Sequence, residues 1–287
     1  MNDTLRLLTA VFKLRIGFAI TLSALGGLAI APGPGANSWQ IAVLASAVLL
    51  ASAAAGAFNQ YVERDLDARM TRTRSRPFVT GRLSANGYWL AGITLLLLIA
   101  VAGAALALNS LTALLVFFGA FTYGVIYTVW LKRRTPVNIV IGGLAGSFAV
   151  LAGAAAVNAE LTPPAVILAL VLFLWTPPHF WSLAFVYQKD YASAGVPMLP
   201  VMVGARTAAR IILAHTLALV ALSLVPMAYG LGGLYLAGAA LGGGYFVTTS
   251  LLLVRNPCLQ TAMANFHASL IQLLLLLFGT LLDAWLR

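Results

Sequence analysis

The sequence predicts an all-α polytopic membrane protein. Nine transmembrane helices form one domain over 1–287, with the N-terminus inside, the C-terminus outside and the active site at the cytoplasmic side. Three observations lead there. Hydrophobic residues make up 61% of the 287 and charged residues only 8%, against about a quarter charged in an ordinary soluble domain. The apolar runs are long, rich in Leu and Ala and free of strict alternation, which selects helices over a closed barrel, the only two architectures that satisfy the backbone in lipid. The segments between the runs are strongly polarised in charge.

At roughly 20 apolar residues per crossing, the spans fall at about 16–31, 40–62, 87–108, 111–131, 138–158, 165–186, 208–229, 232–254 and 265–286. The first is short, follows Lys13 and Arg15 and ends in Ala29-Ile30-Ala31, so a cleaved signal peptide is its alternative. The close spacing of the later spans favours a retained helix. With the N-terminus inside, the internal segments hold sixteen of the seventeen Lys and Arg, and only Arg287 falls outside. The external segments Pro32–Trp39, Asn109–Ser110, Asn158–Pro164 and Gly230–Gly233 hold none. An even number of spans would break this pattern. The expected location is the inner membrane of a bacterium or archaeon, multi-pass, with a cytoplasmic N-terminus.

The net charge of +10 is therefore a topology signal carried by short loops, and nucleic acid is not an expected partner. The single cysteine, Cys258, excludes an intramolecular disulfide framework and any CxxC site. Gly142-Gly143, Gly146, Gly153 and Gly242-Gly243-Gly244 are small residues of the kind that let membrane helices approach closely, and carry no catalytic weight.

The chemistry concentrates in Asn59 to Pro77. Of seven acidic residues in the chain, Glu63, Asp65 and Asp67 sit within five positions, and six of the seventeen basic residues lie between Arg64 and Arg82. The run starts directly after the second span. On a helix Asn59, Glu63 and Asp67 fall on one face at i, i+4, i+8. Two carboxylates and an amide oxygen, stacked at a membrane surface and followed by arginines, suit a hard cation holding a phosphorylated ligand.

A second constellation closes the sixth span, from Pro177-Pro178-His179 to Tyr187-Gln188-Lys189-Asp190-Tyr191, and continues through Val196-Pro197-Met198-Leu199-Pro200. A continuous helix would put His179, Leu183, Tyr187 and Asp190 on one face. A histidine at that depth is either functional or glue between helices. Asp190 is one of the few acids, and its loop is the counterpart of the first. Lys189 is available to Asp190 or to a phosphate. Tyr187 and Tyr191 either donate to an anionic oxygen or mark the membrane interface. His215 and His267 read as packing or interface residues.

A diphosphate leaving an allylic carbon needs its charge stabilised. Magnesium bridging carboxylates and phosphate oxygens does this, with Arg and Lys as further clamps. The interleaved acids and bases of Asn59 to Arg82 have that composition, and the apolar helices beneath could accept an isoprenoid tail. A transporter would instead spread charged residues through several spans at mid-depth, whereas these acids sit at helix ends.

At these residues the chain resembles a known family. Asn59, Glu63 and Asp67 match the NxxxD/ExxxD motif of the intramembrane polyprenyltransferases related to the 4-hydroxybenzoate enzymes. The run to Thr73-Arg74-Ser75-Arg76-Pro77, together with Pro178-His179 to Lys189-Asp190-Tyr191 and Val196 to Pro200, is similar to the haem-farnesylating branch, the haem O synthases. The resemblance covers most of the chain. It implies transfer of a farnesyl group from farnesyl diphosphate to a vinyl carbon of haem B with addition of water, a Mg2+ cofactor, and delivery toward haem A synthase or terminal-oxidase assembly components. On it, Asn59, Glu63 and Asp67 hold magnesium and diphosphate; Arg72, Arg76 and Lys189 clamp phosphate oxygens. Asp190 serves a second metal or orients Lys189, and His179 touches the haem. Two positions depart from the pattern. Many relatives have Asp where this chain has Glu63, and the superfamily's second motif pairs two aspartates where Asp190 stands alone with Val186 one turn earlier. The alternative is a prenyltransferase for another aromatic or tetrapyrrole acceptor.

Overall fold

A computed structural model describes residues 3–33 and 35–286, and every described regular element is helical. Arg287, the basic residue expected outside, lies beyond the described residues. The helices are α1 (Asp3–Val11), α2 (Leu14–Ile30), α3 (Ser38–Val62), α4 (Arg64–Arg69), α5 (Gly87–Ala107), α6 (Ser110–Phe121), α7 (Asn138–Gly142), α8 (Leu144–Ala155), α9 (Pro163–Val186), α10 (Gln188–Ser193), α11 (Leu199–Leu224), α12 (Gly233–Arg255) and α13 (Leu259–Leu286). A π-helix, Thr122–Leu131, continues α6, and a 3-10 turn, Val225–Tyr229, ends α11. Among the described residues eight helices are long and apolar enough to cross a membrane, or nine if α1 and α2, bent by 55° at their break, count as one.

Local chemistry sets several of the starts. Asn37 and Gln40 form a reciprocal capping box at α3, and Asn109 caps α6 through the Thr112 N–H at 2.8 Å. Each supplies acceptors to helix N–H groups that otherwise have none. The seventh span, expected from 208, lies within a longer helix, α11, that begins at Leu199 and is kinked at Gly204, whose φ is 76°. The last span starts earlier than expected, at Leu259, because Gln260, Asn265 and other polar residues are tolerated in the first turns.

The long helices make two closed groups. In the first α2, α3, α5, α6 and α8 pack each against the next, and α8 against α2; in the second α9, α11, α12 and α13 do the same, and α2–α13 and α8–α9 join the groups. The join of α2 and α8 is close. A Cβ on Gly153 would overlap the Ala24 carbonyl, and one on Gly27 would overlap that of Val150. Glycine is what allows these backbones to meet. Gly142, Gly143, Gly242 and Gly243 are similarly confined, whereas Gly146 and Gly244 have open space around them.

Two short helices set the site. α3 and α9 each end at a single non-helical residue, Glu63 (φ −86°, ψ 15°) and Tyr187 (φ −102°, ψ 28°), and each is followed by a six-residue helix, α4 and α10. The break at Tyr187 corrects the expectation of a continuous helix face from His179 to Asp190: the two residues stand on different helices. Backbone bonds still cross both breaks: the Tyr187 N–H donates to the Leu183 carbonyl at 3.1 Å and the Tyr191 N–H to the Tyr187 carbonyl at 3.0 Å. The Glu63 N–H still donates to the Asn59 carbonyl at 2.9 Å and the Asp67 N–H to the Glu63 carbonyl at 2.8 Å, so the i, i+4, i+8 ladder of the three site residues survives the break.

Candidate active site

The residues Asn59, Glu63 and Asp67 line up at the end of α3 and in α4, with 2%, 1% and 2% of their surfaces exposed. Each faces a cation from a different part of the chain. Lys13 Nζ donates to Asn59 Oδ1 at 2.6 Å, Lys132 Nζ to Glu63 Oε2 at 2.6 Å, and Arg76 Nη1 to Asp67 Oδ2 at 2.6 Å. Buried charges persist only when paired: the two carboxylates are each matched by one cation, and Lys13, against an amide oxygen, is a further basic group that an entering anion would meet. Asp65, between the acids in sequence, is different. Its side chain is 50% exposed and forms a bidentate pair with Arg133 at 2.7 Å, which holds its carboxyl below the usual range.

Two backbone irregularities deliver the cations. Lys13 sits between α1 and α2 at φ 48°, ψ 42°, a left-handed conformation that costs a non-glycine residue on the order of 1–2 kcal/mol. Gln60 holds the turn, its Nε2 donating to the Ala10 carbonyl at 2.6 Å, and Gly56 leaves room beside Lys13. Lys13 Nζ also reaches the Tyr123 hydroxyl at 3.1 Å. The second irregularity is the π-helix. Tyr123 and Lys132 are nine residues apart, about two and a half turns of α-helix at 3.6 residues per turn, which would set them on opposite faces. The wider i→i+5 turn brings nine residues to about two whole turns, so Tyr123, Tyr127, Thr128 and Lys132 all face α3. Thr128 Oγ1 accepts from Asn59 Nδ2 at 3.0 Å, fixing the amide with its oxygen toward Lys13.

The donor set fits a divalent hard cation. It consists of oxygen atoms, and Glu63 Oε1 is buried with no hydrogen-bond partner. Among the described residues no group of three His, Cys, Asp or Glu encloses a metal, so protein ligands alone leave coordination positions for phosphate oxygens and water, the mode Mg2+ prefers.

With this geometry in view, the comparisons with known proteins are specific. A profile of the UbiA prenyltransferase family matches residues 20–280. The chain belongs to the UbiA prenyltransferase family. It is 56% identical over 283 residues, 99% of this chain and 98% of the relative, to "Protoheme IX farnesyltransferase 2" of Paramagnetospirillum magneticum. Its fold is similar to that of a digeranylgeranylglyceryl phosphate synthase structure, with TM-score 0.80, 19% identity and full coverage of both chains. A UbiA homologue from Archaeoglobus fulgidus solved with GPP and Mg2+ aligns with TM-score 0.71 at 16% identity, over 96% of this chain and 99% of that one.

The second constellation of this UbiA prenyltransferase meets the first through Arg72. The Arg72 N–H donates to Asp190 Oδ2 at 3.2 Å, its guanidinium lies 5.4 Å from the centre of the Tyr187 ring, and it reaches the Tyr191 hydroxyl at 3.5 Å. Lys189 is exposed and forms no hydrogen bond or ion pair among the described residues, so it does not pair with Asp190. His179 is separate from the acids: its contacts are Trp175 on its own helix and Phe266 and Ser269 on α13. Sequence reasoning missed Lys13, Tyr123, Tyr127, Thr128 and Lys132 as site residues. The lysines were legible as charges at span ends, but counted only toward topology.

Proposed function

We propose that this chain transfers the farnesyl group of farnesyl diphosphate to a vinyl carbon of protohaem IX, with addition of water, giving haem O and diphosphate. The observation that carries this reading is the full-length 56% identity to a protoheme IX farnesyltransferase, with a cation standing on each oxygen ligand of Asn59, Glu63 and Asp67. In the reaction the vinyl π electrons form the new carbon–carbon bond while the bond from the allylic carbon to diphosphate breaks. Water then adds to the neighbouring carbon and loses a proton. Magnesium, held by Asn59, Glu63 and Asp67, supplies charge neutralisation at the diphosphate when bound. Lys13, Arg76 and Lys132 turn from these ligands toward phosphate oxygens as the anion enters. Arg72 closes the same end, positioned by Asp190 and Tyr187, and Lys189 stands exposed at its rim as a further clamp.

Membranes containing the protein, given haem B, farnesyl diphosphate and Mg2+, are expected to yield a haem carrying one farnesyl group plus water, read by chromatography and mass spectrometry and lost on chelation. Unmodified haem with farnesyl moved to another acceptor would remove the acceptor assignment and leave the site.

The same reading makes the chain one integral domain of the inner membrane with nine spans, N-terminus and site in the cytoplasm, and product passing to terminal-oxidase assembly. The absence of Lys and Arg from the external loops supports this orientation. Cys258, between α12 and α13, tests it. The Thr261 hydroxyl and backbone beside it hold its thiol below the ordinary value, which favours labelling. An impermeant thiol reagent is expected to label Cys258 in inverted vesicles and to spare it in intact cells; the reverse pattern would invert the topology.

A further inference from the structure

We infer that His179 is the axial ligand of the haem iron, through Nε2, and that Ser269 sets the tautomer that makes this possible. The inference rests on haem being the acceptor. Ser269 Oγ lies 2.6 Å from the Phe266 carbonyl, a group that only accepts. The one hydroxyl proton must occupy that contact, since two lone pairs at 2.6 Å would repel. The 2.7 Å bond between His179 Nδ1 and Ser269 Oγ therefore takes its proton from the imidazole. With the proton on Nδ1, Nε2 carries an in-plane lone pair, the form a metal-ligating histidine requires, and the Nδ1 partner is the hydrogen bond that fixes such a ring.

Aromatic rings pack against the imidazole. Trp175 stacks on one side of the imidazole at 4.2 Å and 17°, and Phe266 stacks at 4.6 Å and 27°. Trp175 is itself fixed by its indole N–H on the Ser269 carbonyl at 2.9 Å. Stacking covers ring faces and leaves the ring edge, along which the Nε2 lone pair points. Nε2 has no hydrogen-bond partner among the described residues, and His179 is only partly buried. His179 bonds through Nδ1 alone.

The location suits the chemistry. His179 precedes Tyr187 by eight residues on α9, about 12 Å along the axis at 1.5 Å per residue, and Tyr187 carries the guanidinium of Arg72. Iron held at His179 keeps the porphyrin centre below the diphosphate site, while the vinyl carbons, at the macrocycle's rim, extend toward it. His179 thus positions the acceptor and takes no part in bond making.

The test is spectroscopic, on the purified full chain in lipid nanodiscs titrated with ferric haem B. The wild type is expected to show the absorption and electron paramagnetic resonance signature of imidazole-ligated iron. His179→Ala is expected to lose that signature and to bind haem at least tenfold more weakly, and added imidazole to restore it. His179→Met, of similar bulk, should give the distinct signature of a thioether ligand. Ser269→Ala should keep imidazole ligation with weaker affinity. An unchanged spectrum in both His179 variants, or a wild-type complex without an imidazole ligand, overturns the inference even where haem O is formed. A wild type that neither binds haem nor forms haem O refutes the acceptor assignment itself.

Discussion

Asp67→Asn is expected to lower turnover by on the order of 10²–10³-fold, the loss seen when one preorganised electrostatic contact to a developing charge is removed. The substitution keeps the volume of a side chain that is 3% exposed and removes the charge facing Arg76 at 2.6 Å. On the proposed function two roles would fail together: a ligand for the divalent cation would be weakened, and Arg76 would lose the carboxylate that balances it in the resting site. Because a buried partner is lost, part of the effect would be structural, so haem binding and thermal midpoint are measured on the same preparation. Asp65→Asn provides the contrast two residues away. That carboxylate is exposed and paired with Arg133, and such pairs contribute about 0–1 kcal/mol; turnover should stay close to wild type. Wild-type turnover in Asp67→Asn, or equal losses in both variants, would sink the assignment of Asp67 to the site.

Gly153→Ala is expected to destabilise the bundle by about 3 kcal/mol, the upper end for an overpacked position. The added methyl would overlap the Ala24 carbonyl, and backbone cannot rotate aside as a flexible side chain can. The α2–α8 contact holds the first helical group closed and lies beside the α2–α13 and α8–α9 joins, so loss of monodisperse protein on detergent extraction should accompany a lower thermal midpoint. Gly146→Ala has open space around it and removes the entropy cost of a glycine inside a helix, about 0.5–1 kcal/mol. It should be neutral or stabilising. A Gly153→Ala protein melting with the wild type would show that α2 and α8 do not meet as closely as described.

The sequence by itself determined the helical membrane class, because lipid permits so few backbone solutions that composition and run length decide among them. It also determined the Asn59–Glu63–Asp67 ladder, since residues at i, i+4 and i+8 share a face through local geometry alone, and even the break at Glu63 leaves the ladder bonds in place. The His179–Asp190 face was a local inference of the same kind; there the chain divides into α9 and α10 at Tyr187, so the two residues stand on different helices. What only the tertiary structure decided is how the charge of that ladder is balanced. Lys13 and Lys132 come from positions 46 and 69 residues distant from their partners. One is delivered by a left-handed residue at a bend between helices, the other by a π-helical segment whose widened turn has no signature in hydropathy. Asp67 finds Arg76 nine residues on, but the partners of Asn59 and Glu63 were set by the way the helices assemble, because pairing across a bundle depends on distances that no sequence spacing encodes.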